Sequence, residues 1–518
     1  MSPKHTAQLV RTIPPLGLAA FDSLRAEDEP WLIEHAYVPP PDFELMAGAR
    51  SIIAYGQPGS GKTALRCALE HRAVSSTPPR LVAHWRPTLS PHEPATGTPA
   101  GRAQSAQVMD ACAMALLEHL ARSPALYGQC PEWAQQTCAW FVQRHVTQDL
   151  GERSAPLLSK VDSSGQALVH ALIAHPARNI LAEDASVDLV VARLIEALST
   201  IGIGGVWVMA DGVEGLTESE PERLADALLA FLSNLAYLEQ SPFFYKLVLP
   251  LSLQPKLDAA GGIARRRVFA HQLQWTHELL THMVERRIAI ATGDDDFKIT
   301  DLYSAPCKKA KAKPPALKTG QKPANQPELG LVQAWLAGCG GFMPRGWLDS
   351  ASPLAAAFLD RRAKGESGAL THDQWIAARG RMPLSLSLDE KSGLVKVGWR
   401  TVDRLPPLEQ SVLRYLVANQ GKICSKEELY KQAYLAPSDR TTPSTPRTSM
   451  GPAARSETGN QGSAAPRKRK RQPPGYAYNL DTVLWRLREA IEPDVNDPVF
   501  IVTYRGQGVV LNLQPFGQ

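Results

Sequence analysis

At 518 residues and about 150 per domain, the chain has room for roughly two to four domains, which excludes a peptide or a small stapled scaffold. Apolar residues make up 44% and charged ones 21%, with 42 Pro and 37 Gly, a composition that excludes wholesale disorder and describes globular parts joined by Pro-rich connections. The net charge of +5 conceals two basic segments: residues 307–327 hold six Lys and no acid, and 436–475 hold eight Lys or Arg against Asp439 and Glu457, so the remainder is mildly acidic. Such segments suit a chain that touches a polyanion, and a solvated linker produces the same count.

In chain order, residues 1–44 form an N-terminal arm without the apolar stretch of a signal peptide. No run of about 18 apolar residues follows anywhere, so the protein is expected to be cytoplasmic, with no membrane partner. A short apolar run at 51–55 reads as a strand, and 80–86 as a second. From about 103 to 200 the period is helical, as in Val108, Ala111, Cys112, Ala115, Leu116 and Leu120, which reads as an inserted set of helices. Strands return at 204–210 and 245–251, separated by helical periodicity from Pro221 to Leu238. This alternation predicts a doubly wound α/β domain with a mainly parallel sheet over 45–260.

Residues 261–378 read as a helical lid containing a Lys/Pro-rich linker at 307–327. A second domain, 380–518, opens with alternating strands around a turn at Lys391, Ser392 and Gly393. Helices at 407–419 and 425–434 follow, and a low-complexity basic insertion at 436–475 interrupts it. The seven cysteines form no CxxC pair and sit near no His at ligand spacing, so they read as reduced packing residues.

The chemistry is concentrated at Gly56-Gln57-Pro58-Gly59-Ser60-Gly61-Lys62-Thr63, which fits G-x-x-x-x-G-K-[ST] between an apolar strand and a helix former. In that context backbone N–H groups and a helix N-terminus converge on phosphate, Lys62 reaches the β and γ phosphates, and Thr63 holds Mg²⁺. Gly56, Gly59, Ser60, Gly61, Lys62 and Thr63 are therefore the candidate ATP-binding residues. Asp211, closing the strand from Val206, is the candidate Walker B residue and second Mg²⁺ ligand.

The stretch Asp211-Gly212-Val213-Glu214 resembles the D-G-x-[DE] pattern of signal-transduction ATPases with numerous domains, the NACHT-like branch of P-loop proteins related to AAA+ ATPases. The resemblance spans roughly residues 45–350. It implies that Asp211 and Glu214 carry catalysis, with Glu214 polarising water because Gly212 stands where many AAA+ proteins place their glutamate; an exposed surface Glu is the competing reading. By the same resemblance Ser252 falls where a γ-phosphate sensor sits, although a plain strand-end Ser is also consistent. Arg345, closing Gly340 to Arg345, matches a G-x-P-R element that brings a lid arginine to the nucleotide, and an exposed helix-start Arg has the same sequence. The run Arg265 to Arg267 reads either as an arginine finger acting in trans or as solvated charge.

Residues 384–513 resemble the OmpR/PhoB-type winged helix-turn-helix, an α+β domain. Leu386 to Gly398 matches its β-platform, Leu405 to Leu416 its first helix, Ile423 to Leu429 its second, with Ser425 and Glu428 as a capping box, Leu480 to Arg488 its recognition helix and Val502 to Gly508 its wing. Independently of the resemblance, Leu480, Val483, Leu484, Leu487 and Ile491 fall on one helical stripe. Thr482, Trp485, Arg486 and Glu489 project from the other face, the first three toward double-stranded DNA, with Arg488 toward phosphate and Arg505 at the wing tip. Arg467 to Arg471 would add salt-sensitive attraction. Together these features imply an ATP-binding, nucleotide-switched regulator of transcription, with slow ATP hydrolysis and nucleotide-dependent homo-oligomerisation. A DNA-remodelling or loading ATPase and an anti-phage sensor that docks a partner through the winged helix are the alternatives.

Overall fold

The computed structural model describes residues 17–21, 26–28, 31–89, 97–146, 149–182, 184–260, 263, 266–303, 330–366, 369–402, 404–434 and 476–516. The linker 307–327, the insertion 436–475 with its run Arg467 to Arg471, and Arg265 lie outside these residues. The chain divides into two compact units, Met1–Ser304 with Phe342–Leu370, and Ala305–Gly341 with Thr371–Gln518.

Among the described residues, the first unit is built on five parallel strands: β1 Ser51–Gly56, β2 Leu81–Trp85, β3 Val206–Ala210, β4 Phe243–Pro250 and β5 Val268–Gln272, in the order β2-β3-β4-β1-β5. β1, β3 and β4 are buried along their whole length, which explains their unbroken apolar sequences: a parallel strand covered on both faces has no polar side to show. Alternate residues serve two cores. Ile53, Tyr55, Trp85, Val208 and Leu247 join one with helices of the insertion, including Gly97–Arg122, and with helix Pro221–Ser233 between β3 and β4, and Ile52, Ala54, Trp207 and Val248 join the other with Leu65 and Leu69 of helix Lys62–Val74. The fold is an α/β arrangement, a parallel sheet with helices packed on both faces, and the insertion contributes six helices among the described residues, from Gly97–Arg122 to Val187–Thr200.

Two expectations change. β5 falls in the stretch read as the start of a helical lid, and the structure adds it to the sheet beside β1. As an edge strand it has only Val268 buried, so backbone pairing, rather than an apolar pattern, defines it. The lid itself is not one body. Helices His277–Thr292 and Pro344–Ala363 pack together in the first unit, with His277 against Trp347. Helices Leu331–Gly340 and His372–Arg379 belong to the second unit, where Arg379 lies 3.5 Å over Trp335, beside Trp375, and pairs with Asp497.

A buried lysine in mid-sheet escaped sequence reading. Lys246 donates to the carbonyls of Met46, Gly48 and Arg50 at 2.6, 2.7 and 2.8 Å and lies 4.3 Å from the Trp207 ring, so it holds the turn leading into β1. Burial, then Arg80 and Arg50, pushes its pKa down from 10.5 to about 7. Between those values the unfolded chain holds a proton that the folded chain has released, so this group adds stability as pH rises through that window. Lys246→Met is expected to cost about 2–4 kcal/mol at neutral pH by orphaning three carbonyls, and to flatten the rise between pH 7 and 10. Urea denaturation at several pH values checks both effects.

The second unit contains a three-stranded antiparallel sheet, β6 Leu386–Leu388, β7 Val395–Val397 and β8 Arg400–Val402. Helices Pro407–Ala418, Lys426–Leu429 and Tyr476–Ile491 follow, and then a hairpin of β9 Ile501–Tyr504 and β10 Gly508–Leu511. Ser425 and Glu428 form the expected capping box. Leu480, Val483, Leu484, Leu487 and Ile491 are all buried. Just beyond that helix, Glu492 accepts from the N–H groups of Val499, Phe500 and Ile501, which sets the entry into the hairpin.

Candidate functional site

The loop between β1 and helix Lys62–Val74 has the geometry its glycines allow. Gly59 and Gly61 take φ of 78° and 85°, a region costly to residues with a Cβ. A Cβ on Gly56 would lie 2.2 Å from Ser60 Oγ, so that position admits no larger residue. The helix begins at Lys62, which leaves its first N–H groups without intrahelical partners and directed at the loop. Lys62 is buried. Its ammonium donates to the carbonyls of Gly56 and Gln57 at 3.3 and 3.1 Å and pairs with Glu214 at 3.2 Å. Ser60 has a buried hydroxyl with no hydrogen-bond partner.

Asp211 follows β3 directly and is 10% exposed. One carboxylate oxygen accepts from Gly212 N–H at 2.8 Å and the other from Arg66 Nε at 3.2 Å. Gly212 takes φ 74°, which lets the chain turn immediately after the aspartate. Glu214 starts the helix Glu214–Ser219 and is half exposed. The structure thus gathers Lys62 and Glu214 into one ion pair and brings Asp211 to the helix that carries Lys62 and Thr63.

Arg345 also reaches the loop, though by its backbone: its N–H donates to Gly59 O at 3.2 Å while the side chain is exposed. Ser252 is exposed in the single turn Leu251–Leu253 after β4. Of the arginine run, Arg267 pairs with Glu239 at 2.8 Å and Arg266 takes φ 56°, a strained value for a side-chain-bearing residue.

Three participants had no sequence signal. Trp275, just past β5, donates its indole N–H to Ser60 O at 2.9 Å. Phe342 stacks on His277 with centroids 4.6 Å apart. Both line a cavity of about 370 Å³ together with Gly56, Gln57, Ser60, Gln272, Gln274 and Met343. The third is Arg66, whose spacing of four from Lys62 is ordinary for a helix and becomes informative only when Asp211 is seen beside it. The cavity opens at the carboxyl ends of β1 and β5, the edge at which open parallel sheets bind ligands.

In the second unit, Trp485, Arg486 and Arg505 are exposed, with Arg505 in the turn between β9 and β10. Arg486 has only a long contact, 3.7 Å, to Glu409, and Thr482 is half-buried. Arg488, read from sequence as a phosphate contact, is turned inward: it donates to Ile501 O at 3.0 and 2.8 Å and to Thr503 Oγ1, tying its helix to the hairpin. Burial lowers its pKa from the usual arginine value. It lies two residues beyond Arg486 on the same helix, so the two point to different faces, and the hairpin takes up Arg488 alone.

No protein-family model matches the chain, and no curated protein does. Among solved structures, the Aeropyrum pernix Orc1 protein in complex with DNA aligns over 78% of this chain and 80% of that chain at 14% identity, with a TM-score of 0.28. A likeness that loose carries no statement about this chain's chemistry. Among the described residues, no helix is long and apolar enough to cross a membrane.

Proposed function

We propose that this chain is an ATP-binding, nucleotide-switched DNA-binding protein that regulates transcription, with slow hydrolysis of the bound nucleotide. The observation that carries the reading is the loop Gly56–Thr63: left-handed glycines, an orphaned buried Ser60 hydroxyl and a buried Lys62 at the start of a helix. Those groups fit phosphate, since they supply converging N–H donors, a hydroxyl and a cation. Thr63 and Asp211 are hard oxygen donors of the kind Mg²⁺ takes, and the ion would supply charge neutralisation between phosphate oxygens. Lys62 would leave Glu214 for the phosphates. Glu214, freed, would orient and deprotonate water, with Asp211 as the second catalytic acid group. Ser252 and Arg345 would read the γ-phosphate, and the cavity beside Trp275 would take the base.

Coupling is supported by chain connectivity. The division between the units falls between Gly341 and Phe342, three residues before Arg345, whose N–H holds Gly59. A change at the Gly56–Thr63 loop therefore acts four residues along the chain from the second unit. That unit we read as a winged helix: the helix Tyr476–Ile491 presents Thr482, Trp485 and Arg486, and the hairpin tip presents Arg505. An arginine on such a helix bonds base edges or phosphate in the major groove.

Fluorescence anisotropy of labelled duplex DNA, with and without ATP and Mg²⁺ and at two salt concentrations, tests the switch. The expected result is salt-sensitive binding whose affinity shifts at least 5-fold with nucleotide, in the ordinary range of coupled sites. Binding indifferent to nucleotide would remove the switch, and turnover strongly stimulated by DNA of any sequence would favour a loading ATPase.

A further inference from the structure

Asp211 is paired with a guanidinium that the proposed chemistry does not use. Arg66 lies one turn after Lys62 on the same helix, and long helical side chains lean toward the N-terminus, so its head reaches back toward the phosphate loop. There it meets three carboxylates: Asp211 through Nε at 3.2 Å, Glu70 through Nη1 at 3.1 Å and Glu27 through Nη2 at 3.5 Å. Arg66 and Asp211 are 15% and 10% exposed, so water screens this contact weakly. Glu70 is anchored in turn by His84 of β2 at 3.2 Å, and that hydrogen bond holds its carboxyl below the usual range.

We infer that Arg66 is a positioning residue that competes with the divalent cation for Asp211, and so sets the Mg²⁺ concentration at which nucleotide is held. The inference rests on the nucleotide reading above. Both Asp211 oxygens are engaged, one by Gly212 N–H and one by Arg66. A metal taking the Arg66-bound oxygen places two positive groups against one carboxylate, so the guanidinium must withdraw. Glu70 and Glu27 give it somewhere to go: with two further acid partners already within 3.5 Å, releasing Asp211 does not strand a buried cation. The arrangement is an exchange between two sets of partners, and the position of that exchange is what a metal concentration reads.

The test is a titration of Mg²⁺ into protein with a fluorescent ATP analogue, following the analogue's anisotropy in wild type, Arg66→Met and Arg66→Lys. Arg66→Met is expected to reach half-saturation at about 10-fold lower Mg²⁺, the coupling typical of a single charged contact, while binding in EDTA stays at the wild-type level. Arg66→Lys keeps the charge without the fork and is expected to fall between the two. Far-UV circular dichroism establishes that each variant is folded, and Arg66→Lys carries the test if Arg66→Met is not. An unchanged or higher Mg²⁺ requirement in a folded variant overturns the inference while leaving nucleotide binding intact. Absence of analogue binding to wild type, with or without Mg²⁺, overturns the nucleotide reading and this inference together.

Discussion

Lys62→Ala is expected to weaken ATP binding at least 100-fold, measured by isothermal titration calorimetry in the presence of Mg²⁺. The side chain is buried, and its partners, two loop carbonyls and Glu214, are all within 3.3 Å. That places a cation against the carbonyls of a loop whose Gly59 and Gly61 are left-handed. Replacing the ammonium removes charge-assisted bonds to two phosphate groups, each worth about 1.5–3 kcal/mol, and about 1.4 kcal/mol is tenfold in affinity. Stability is expected to fall by about 1–2 kcal/mol, because two loop carbonyls lose their donor while Glu214, half exposed, can be solvated. A folded Lys62→Ala protein with wild-type ATP affinity would show that the loop is not the binding site.

Arg486→Ala combined with Arg505→Ala is expected to lower affinity for duplex DNA by about 30- to 1000-fold and to reduce the salt slope by about two. Both side chains are exposed, and among the described residues Arg486 makes only a 3.7 Å contact, to Glu409, so their removal takes little from the fold. Arg488→Ala is the informative contrast. Its guanidinium joins helix and hairpin through Ile501 and Thr503, so it should lower the melting temperature of the second unit and disturb binding only through that loss. Anisotropy across a salt series, alongside thermal melts, separates the two classes. Equal DNA affinity in the double variant and wild type would move recognition away from this helix and hairpin.

The sequence carries the parts of this protein that depend on neighbouring residues. The glycine-rich loop Gly56–Thr63 is legible because its glycines and Lys62 act within eight positions. β1, β3 and β4 are legible because full burial on both faces leaves an unbroken apolar run. The buried stripe from Leu480 to Ile491 and the Ser425 capping box are likewise local, written in helical period and cap chemistry.

Tertiary structure decided what depends on partners far along the chain. β5 is a strand because β1 offers it hydrogen bonds, and its own side chains are mostly half exposed. Lys246 sits inside a sheet because three carbonyls some 200 positions away converge on it, and nothing in FFYKLVLP announces them. Arg488 and Arg486 are separated in role only by the hairpin that folds against one of them. Arg66 reaches Asp211 across 145 positions, and that contact depends on where β3 ends relative to the helix after β1. Local chemistry therefore determined that this chain has a glycine-rich loop leading into a helix at Lys62 and an amphipathic helix that exposes Trp485 and Arg486. Which charges remain free to act was settled by packing, because an arginine or lysine in sequence is only a donor until the fold supplies or withholds its acceptor.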